Sequence, residues 1–343
     1  MRSPWIFLLI PLLLTRPLSA APRNAPLAAP PLASSSAQAA AALQAGQRRL
    51  QAGDLKGAEL AWRKGLQEGE DSGLIYALGG LLFQANRLRE AEEDFQHLVQ
   101  HTPDLADGWY QLGLVRAARG RYKDAADAQR LAVAHAPHFG QAYCALALDL
   151  REAGQTAEAL QAVQRAMELL PRYAGAVNLR AALKHDLGDL DGAERDYKDA
   201  IRMEPSYVSA CWNLGQLQEA RGHKADAERV YAYAIQVKPA YADAWLARAE
   251  LRLDRQDYRG AAEDFRQVSH LSGSEPEAWW GLARVAKARK DKTEEEDCLV
   301  RYKAAVHRRD RRIDDERAQG IEQAAAFEPG LPLALSQAPL GGP

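Results

Sequence analysis

Residues 109–137 read WYQLGLVRAARGRYKDAADAQRLAVAHAP. Large and small apolar residues recur here at helical spacing, as in Leu112, Gly113 and Val115, then Ala125 and Ala132. Gly120 divides the stretch, and Pro137 closes it. Glycine tolerates the left-handed backbone that ends a helix, and a proline placed after a helix stops it without removing a needed N–H. The stretch therefore predicts two helices joined by a tight turn.

Reading outward, the same punctuation returns. Pro103, Pro137, Pro171, Pro205 and Pro239 are each 34 residues apart. A period of that size marks a chain built from stacked structural repeats. Small residues fall in register with it: Gly46, Gly79, Gly113, Ala147, Ala181, Gly215, Ala249 and Ala283 form one column. A second holds Ala58, Ala91, Ala125, Ala159, Ala193, Ala227 and Ala261. Helices approach closely only where no large side chain separates their backbones, so these columns predict crossing points. Between them runs a turn column of Gly53, Asn86, Gly120, Gly154, Gly188 and Gly222. Aromatic residues such as Trp62, Phe95, Tyr197, Tyr231 and Phe265 stand late in the second helix of their repeats. Strict alternation is absent, so no strands are expected.

The combination of Trp109, Leu112, Gly113, Ala125, Ala132 and Pro137 resembles the signature of the tetratricopeptide repeat. The resemblance extends over residues 39–303, as seven to eight units. It implies an all-α fold, a right-handed superhelical solenoid of antiparallel helix pairs. Several positions depart from the pattern. Gln129 replaces an aromatic, and Gly273 and Glu295 replace the proline and a small crossing residue. Arg180 and Arg248 stand where Leu78, Leu112, Leu146, Leu214 and Leu282 stand elsewhere. Two readings of these arginines are open: packed stems with guanidinium groups reaching solvent, or cations presented to a carboxylate ligand.

The ends carry different information. Arg2, the apolar run WIFLLIPLLL at 5–14, and Leu18-Ser19-Ala20 have the order of a secretory leader cleaved before Ala21. The run is too short to span a bilayer, so an exported, periplasmic or extracellular chain with no membrane span after cleavage is expected. Residues 21–38 are rich in Ala, Pro and Ser and read as a linker; 304–326 read as a charged capping helix, and 327–343 as a disordered tail. The arginines at 308–312 are followed by Asp314, Asp315 and Glu316, so they read as a solvated helix face.

The formal net charge is −2, and loss of Arg2 and Arg16 with a leader makes it more negative. That balance argues against a nucleic-acid partner. Cys144, Cys211 and Cys298 lie in different repeats and are expected to remain unbridged. No hydrolase, phosphate-loop or metalloprotease motif occurs, so neither catalysis nor a cofactor is expected. His97 and His101 have the spacing of a helical metal pair, with His135 and His138 one repeat on. Leu169, Met203, Val237 and Leu271 share the column of His101 and His135, which favours a packing position and no metal.

The family resemblance implies that the first helices line a concave groove for an extended or helical peptide. It places Tyr76, Phe83, Tyr110 and Leu114 in the N-terminal part of that groove, followed by Arg151. Asn178, Trp212, Asn213 and Gln216 follow, and then Glu250, Asp254, Trp280 and Arg284. With Asp107, Glu152, Asp186, Asp243 and Glu277 included, acids outnumber bases there. The Lys/Asn arrangement with which some relatives hold a C-terminal carboxylate is not evident. The expectation is an exported protein-binding scaffold or assembly factor that holds a partner segment by aromatic anchors flanked by charge. The alternative is an accessory subunit of an envelope secretion or polysaccharide-export machine, using convex or edge contacts.

Overall fold

The computed structural model describes residues 36–272 and 276–327, excluding the side chains of residues 272, 309 and 312–327. The leader at 1–20, nearly all of the linker and the tail beyond Phe327 lie outside the described residues. The described residues form sixteen helices and no strand. The chain divides into two compact units, residues 1–171 and 172–343. The first unit pairs α1 (Ala37–Gln51) with α2 (Leu55–Glu68), and α3 (Ser72–Gln84) with α4 (Leu88–His101). It continues with α5 (Ala106–Ala118) and α6 (Tyr122–His135), then α7 (Gly140–Glu152) and α8 (Thr156–Leu169). The second unit holds α9 (Ala174–Asp186) with α10 (Leu190–Met203), and α11 (Val208–Ala220) with α12 (Lys224–Val237). Its last pairs are α13 (Ala242–Asp254) with α14 (Tyr258–Ser272), and α15 (Pro276–Ala288) with α16 (Lys292–Phe327).

Each pair exists because its first helix stops in a left-handed residue. The turn glycines have φ between 74° and 83°, and Asn86 has φ 61°. In the third pair the Gly120 N–H reaches the Ala117 carbonyl and the Arg121 N–H reaches Arg116, a doubly bonded C-terminal cap. Two turns escape the sequence pattern. Gln256 (φ 64°) and Lys290 (φ 61°) adopt the same conformation without being Gly or Asn. The prolines do more than stop second helices. The Trp109 indole donates to the Pro103 carbonyl at 2.7 Å, and Trp245 does the same to Pro239 at 2.8 Å. The indole thereby ties the start of one repeat to the end of the previous one.

The small columns are the core. Ala58, Ala91, Ala125, Ala159, Ala193, Ala227 and Ala261 are all fully buried. Sixteen residues separate a first-column residue from the side chain that packs on it. A methyl on Gly215 would sit 2.3 Å from the Tyr231 ring, and one on Gly46 would sit 2.0 Å from Trp62. The aromatic ring thus occupies the space that glycine vacates. Where Gln129 replaces the aromatic, its amide donates to the Tyr110 carbonyl at 3.2 Å while its own carbonyl meets no donor.

Arg180 and Arg248 follow neither expected reading. Arg180 donates twice to Asp196, at 2.7 and 2.8 Å, and Arg248 donates twice to Asp264, at 2.9 and 2.8 Å. Both acids are buried. Each arginine is therefore consumed inside its own helix pair and is not presented to a ligand.

Ionic joints also link successive pairs. The residue after the buried alanine is an acid in four repeats, and arginines of the next pair close on it. Glu59 meets Arg87 at 2.7 Å, and Glu194 meets Arg221 at 2.8 Å. Glu228 meets Arg252 at 3.1 Å and Arg255 at 2.6 Å. Buried Glu92 gathers Arg116, Arg119 and Arg121.

The charged segment at 304–326 does not form an element of its own, because α16 runs unbroken from Lys292 to Phe327. Cys144, Cys211 and Cys298 are free. Burial pushes the Cys144 thiol up to about 12 and Cys211 up to about 11, which suppresses the reactive thiolate. No described helix is long and apolar enough to cross a membrane.

Candidate protein-binding face

In the first unit α1 touches α3, α3 touches α5 and α5 touches α7, so the first helices crowd along one side. The side chains expected on that side divide into core and surface. Tyr76 is only 2 % exposed, and its ring meets Phe95 edge-on with centroids 5.9 Å apart. Its hydroxyl accepts from the Gln111 amide at 3.1 Å, and burial pushes its pKa up to about 12. It belongs to the core and is not an exposed anchor. The cause is visible in α3, SGLIYALGGLLFQ, whose residues from Gly73 to Leu82 are buried on nearly every face. Phe83 is half-buried against the same core. Tyr110 is half-buried and rests on Phe139, with centroids 4.9 Å apart. Leu114 is half-buried, and Arg151 lies 3.5 Å from Glu152.

The second unit builds a more polar face. Asn178 is buried at 1 % exposure and accepts from the Asn213 amide at 3.0 Å. It too is a structural residue, a polar link between α9 and α11, and not a surface contact. Trp212 is half-buried against the cluster of Ala227, Tyr231 and Leu251. The Tyr231 hydroxyl donates to Glu219 at 2.6 Å and accepts from Gln216 at 3.3 Å. Burial raises both the Tyr231 hydroxyl and the Glu219 carboxyl, so the short link holds with a proton on the phenol.

Further along, Arg284 donates to both oxygens of Glu250 at 2.8 Å, and Lys224 meets Asp254 at 2.9 Å. Two of the acids counted on this face, Glu250 and Asp254, are thus already paired with bases of the same unit. Trp280 is 45 % exposed and packs on Tyr302 of α16, with centroids 5.6 Å apart. Arg284 lies one helical turn from it on the same helix. This end of the unit therefore offers a large apolar ring with one face in water, held by a second aromatic and bordered by a fixed guanidinium.

Tyr302, Tyr231 and Gln111 did not emerge from the sequence as part of this face. Tyr231 was visible only as an aromatic in a packing column, and its hydroxyl gave no separate signal. Tyr302 lies in the atypical last helix, where the register gives least guidance.

The tetratricopeptide-repeat family model matches residues 76–138, 144–207, 183–244 and 246–306. No curated protein matches the sequence. Among solved structures, a tetratricopeptide repeat protein from Parabacteroides merdae superposes with a TM-score of 0.62 at 16 % identity. That match covers 73 % of this chain and 99 % of the other. PilF of Pseudomonas aeruginosa gives a TM-score of 0.50 at 19 % identity, over 58 % of this chain and 90 % of its own. The Cut9–Hcn1 assembly of the APC/C gives 0.51 at 18 % identity, over 62 % of this chain and 42 % of that one. At these identities the likeness is one of fold.

Proposed function

Because this chain belongs to the tetratricopeptide repeat family, we propose that it is a protein-binding scaffold that holds a segment of a partner on the face of its first helices. The observation that supports this most is Trp280, half in water, backed by Tyr302 and flanked by Arg284 paired to Glu250. A rigid, partly exposed aromatic beside a fixed polar group is the composition of an energetic anchor. The internal pairing of Glu250 and Asp254 shifts the weight of recognition from net charge to the aromatic residues. A partner segment with an apolar side chain and a carboxylate or carbonyl for Arg284 fits this end.

Export is part of the same proposal. It rests on Arg2, the apolar run at 5–14 and the small-residue site before Ala21. N-terminal sequencing of native protein should find Ala21 or a close neighbour first; an intact Met1 would overturn it.

The test of the scaffold role is capture of partners from the source cell's envelope with the full chain and two variants. Trp280→Ala should lose the partner, since truncating a central aromatic costs about 2 kcal/mol or more. Leu60→Ala, on the exposed side of α2, should keep it. The reverse pattern would transfer the role to the second-helix side and to an accessory subunit of an envelope machine.

A further inference from the structure

We propose that Glu70, His97 and His101 form a binding site for a divalent transition metal, with Zn²⁺ the best-fitting ion. His97 and His101 are one turn apart on α4, their rings 4.2 Å apart between centroids. Glu70 comes from the connection between α2 and α3 and spans both rings. Its Oε1 lies 3.4 Å from His97 Nε2, and its Oε2 lies 3.4 Å from His101 Nε2. One donor atom from each of the three residues falls within 4.8 Å of the others.

Each ring nitrogen faces its own oxygen of Glu70, at a separation longer than a direct contact and within the span of a bridging ion. Nitrogen and oxygen ligands at about 2.0–2.1 Å from a tetrahedral zinc are about 3.3–3.4 Å from each other. A good hydrogen bond between the same atoms would be shorter, at about 2.7–2.9 Å when charged. The second ring nitrogen supplies an independent argument. His101 Nδ1 lies 2.9 Å from the His97 carbonyl. A carbonyl only accepts, so Nδ1 carries a proton, and Nε2 is the ring nitrogen turned towards Glu70. A backbone carbonyl holding the distal nitrogen of a metal-binding histidine is the usual outer-shell arrangement.

The repeat provides an internal control. Moving 34 residues on, the same three positions hold Asp104, Leu131 and His135. Asp104 and His135 still approach, at 3.6 Å, but Leu131 removes the third donor. The repeat carrying α4 alone has all three. Nor is His101 at a packing position, as its column had suggested, because its side chain is 49 % exposed. His97 and Glu70 are exposed by 40 % and 66 %. An ion can enter from solvent, and three protein ligands leave a fourth position for water or a donor from another molecule. Bound there, it would clip the α2–α3 connection to α4.

The test uses the full chain without an affinity tag, stripped with a chelator and titrated with Zn²⁺ by calorimetry at about pH 7.5. Co²⁺ absorption reports the geometry. The expected result is one Zn²⁺ per chain, with Co²⁺ showing the intense visible bands of a four-coordinate site. His97→Ala and His101→Ala should each weaken binding at least about tenfold, and Glu70→Gln should do likewise. His135→Ala should leave it unchanged. Circular dichroism confirms that each exposed-site variant is folded. Absence of saturable binding, or equal weakening by His135→Ala, would overturn the site. So would unchanged binding in both the His97 and His101 variants.

Discussion

Arg180 and Asp196 are joined by two parallel hydrogen bonds, at 2.7 and 2.8 Å, across the two helices of one repeat. The positions are sixteen residues apart, and other repeats fill them with Arg248 and Asp264, Leu112 and Ala128, or Leu146 and Ala162, while Leu78 with Asp94 leaves the acid without its arginine. Removing one member of a buried pair strands the other charge, at about 3–5 kcal/mol when no other partner exists. Lys184 also reaches Asp196, at 2.8 Å, so Arg180→Leu should cost less, about 2 kcal/mol. The double variant Arg180→Leu/Asp196→Ala should recover most of the loss, because it recreates a combination used two repeats earlier. Urea unfolding of the three proteins checks this; a neutral Arg180→Leu would show that the pair does not contribute.

Asp149 breaks an apolar column otherwise made of Val115, Leu183, Leu217, Leu251 and Val285. It is buried, its Oδ2 meets no donor, and burial pushes its carboxyl from 3.8 up to about 8, with Glu152 adding to the effect. The folded chain keeps this proton where the unfolded chain has lost it. Stability from this group should therefore fall as pH rises from about 4 to about 8 and level off above that. Asp149→Leu should raise the unfolding midpoint strongly near pH 9 and much less near pH 4. An equal gain at both would mean that the carboxyl is not protonated in the fold. Asp94, pushed up to about 7 chiefly by burial, adds to the same slope.

Gln256 and Lys290 hold left-handed backbone in turns where five other repeats use glycine. A Cβ costs about 1 kcal/mol there, because it crowds the adjoining backbone. Gln256→Gly and Lys290→Gly should each raise stability by up to about 1 kcal/mol, less the extra freedom gained by the unfolded chain. Glycine substitution elsewhere in α13 should do the opposite. Urea midpoints decide it: a loss at both turns would show that side-chain contacts outweigh backbone strain.

The period, the crossing alanines and the turn glycines were legible because each answers a backbone demand that only a few residue types meet. Ala193 and Gly188 could be assigned from one line of sequence. Gln256 and Lys290 could not, since neither residue type signals a turn. The Arg180–Asp196 pair needed two columns read together, sixteen residues apart, where reading one column left two wrong choices. Exposure was the least legible property. Tyr76 and Asn178 sit at first-helix positions equivalent to Trp280, yet neighbouring helices bury them. Depth depends on how much apolar surface the adjoining repeats bring, and repeat register does not record that. The charged stretch after Lys303 holds no proline and a single glycine, Gly320, and α16 continues through it.

The arginines that close on Glu59, Glu92, Glu194 and Glu228 have a consequence for how the chain comes apart. In a repeat protein, the steepness of unfolding depends on how strongly each unit is coupled to the next, separately from how stable each unit is alone. Here part of that coupling is ionic and partly exposed, so dissolved salt can weaken it while leaving the aromatic and alanine contacts within each pair intact. Adding sodium chloride should broaden the urea transition more than it shifts the midpoint, as neighbouring repeats begin to unfold independently. Charge at the joints would then set how far a local opening spreads, giving the ionic medium control over whether one loosened repeat remains a local event.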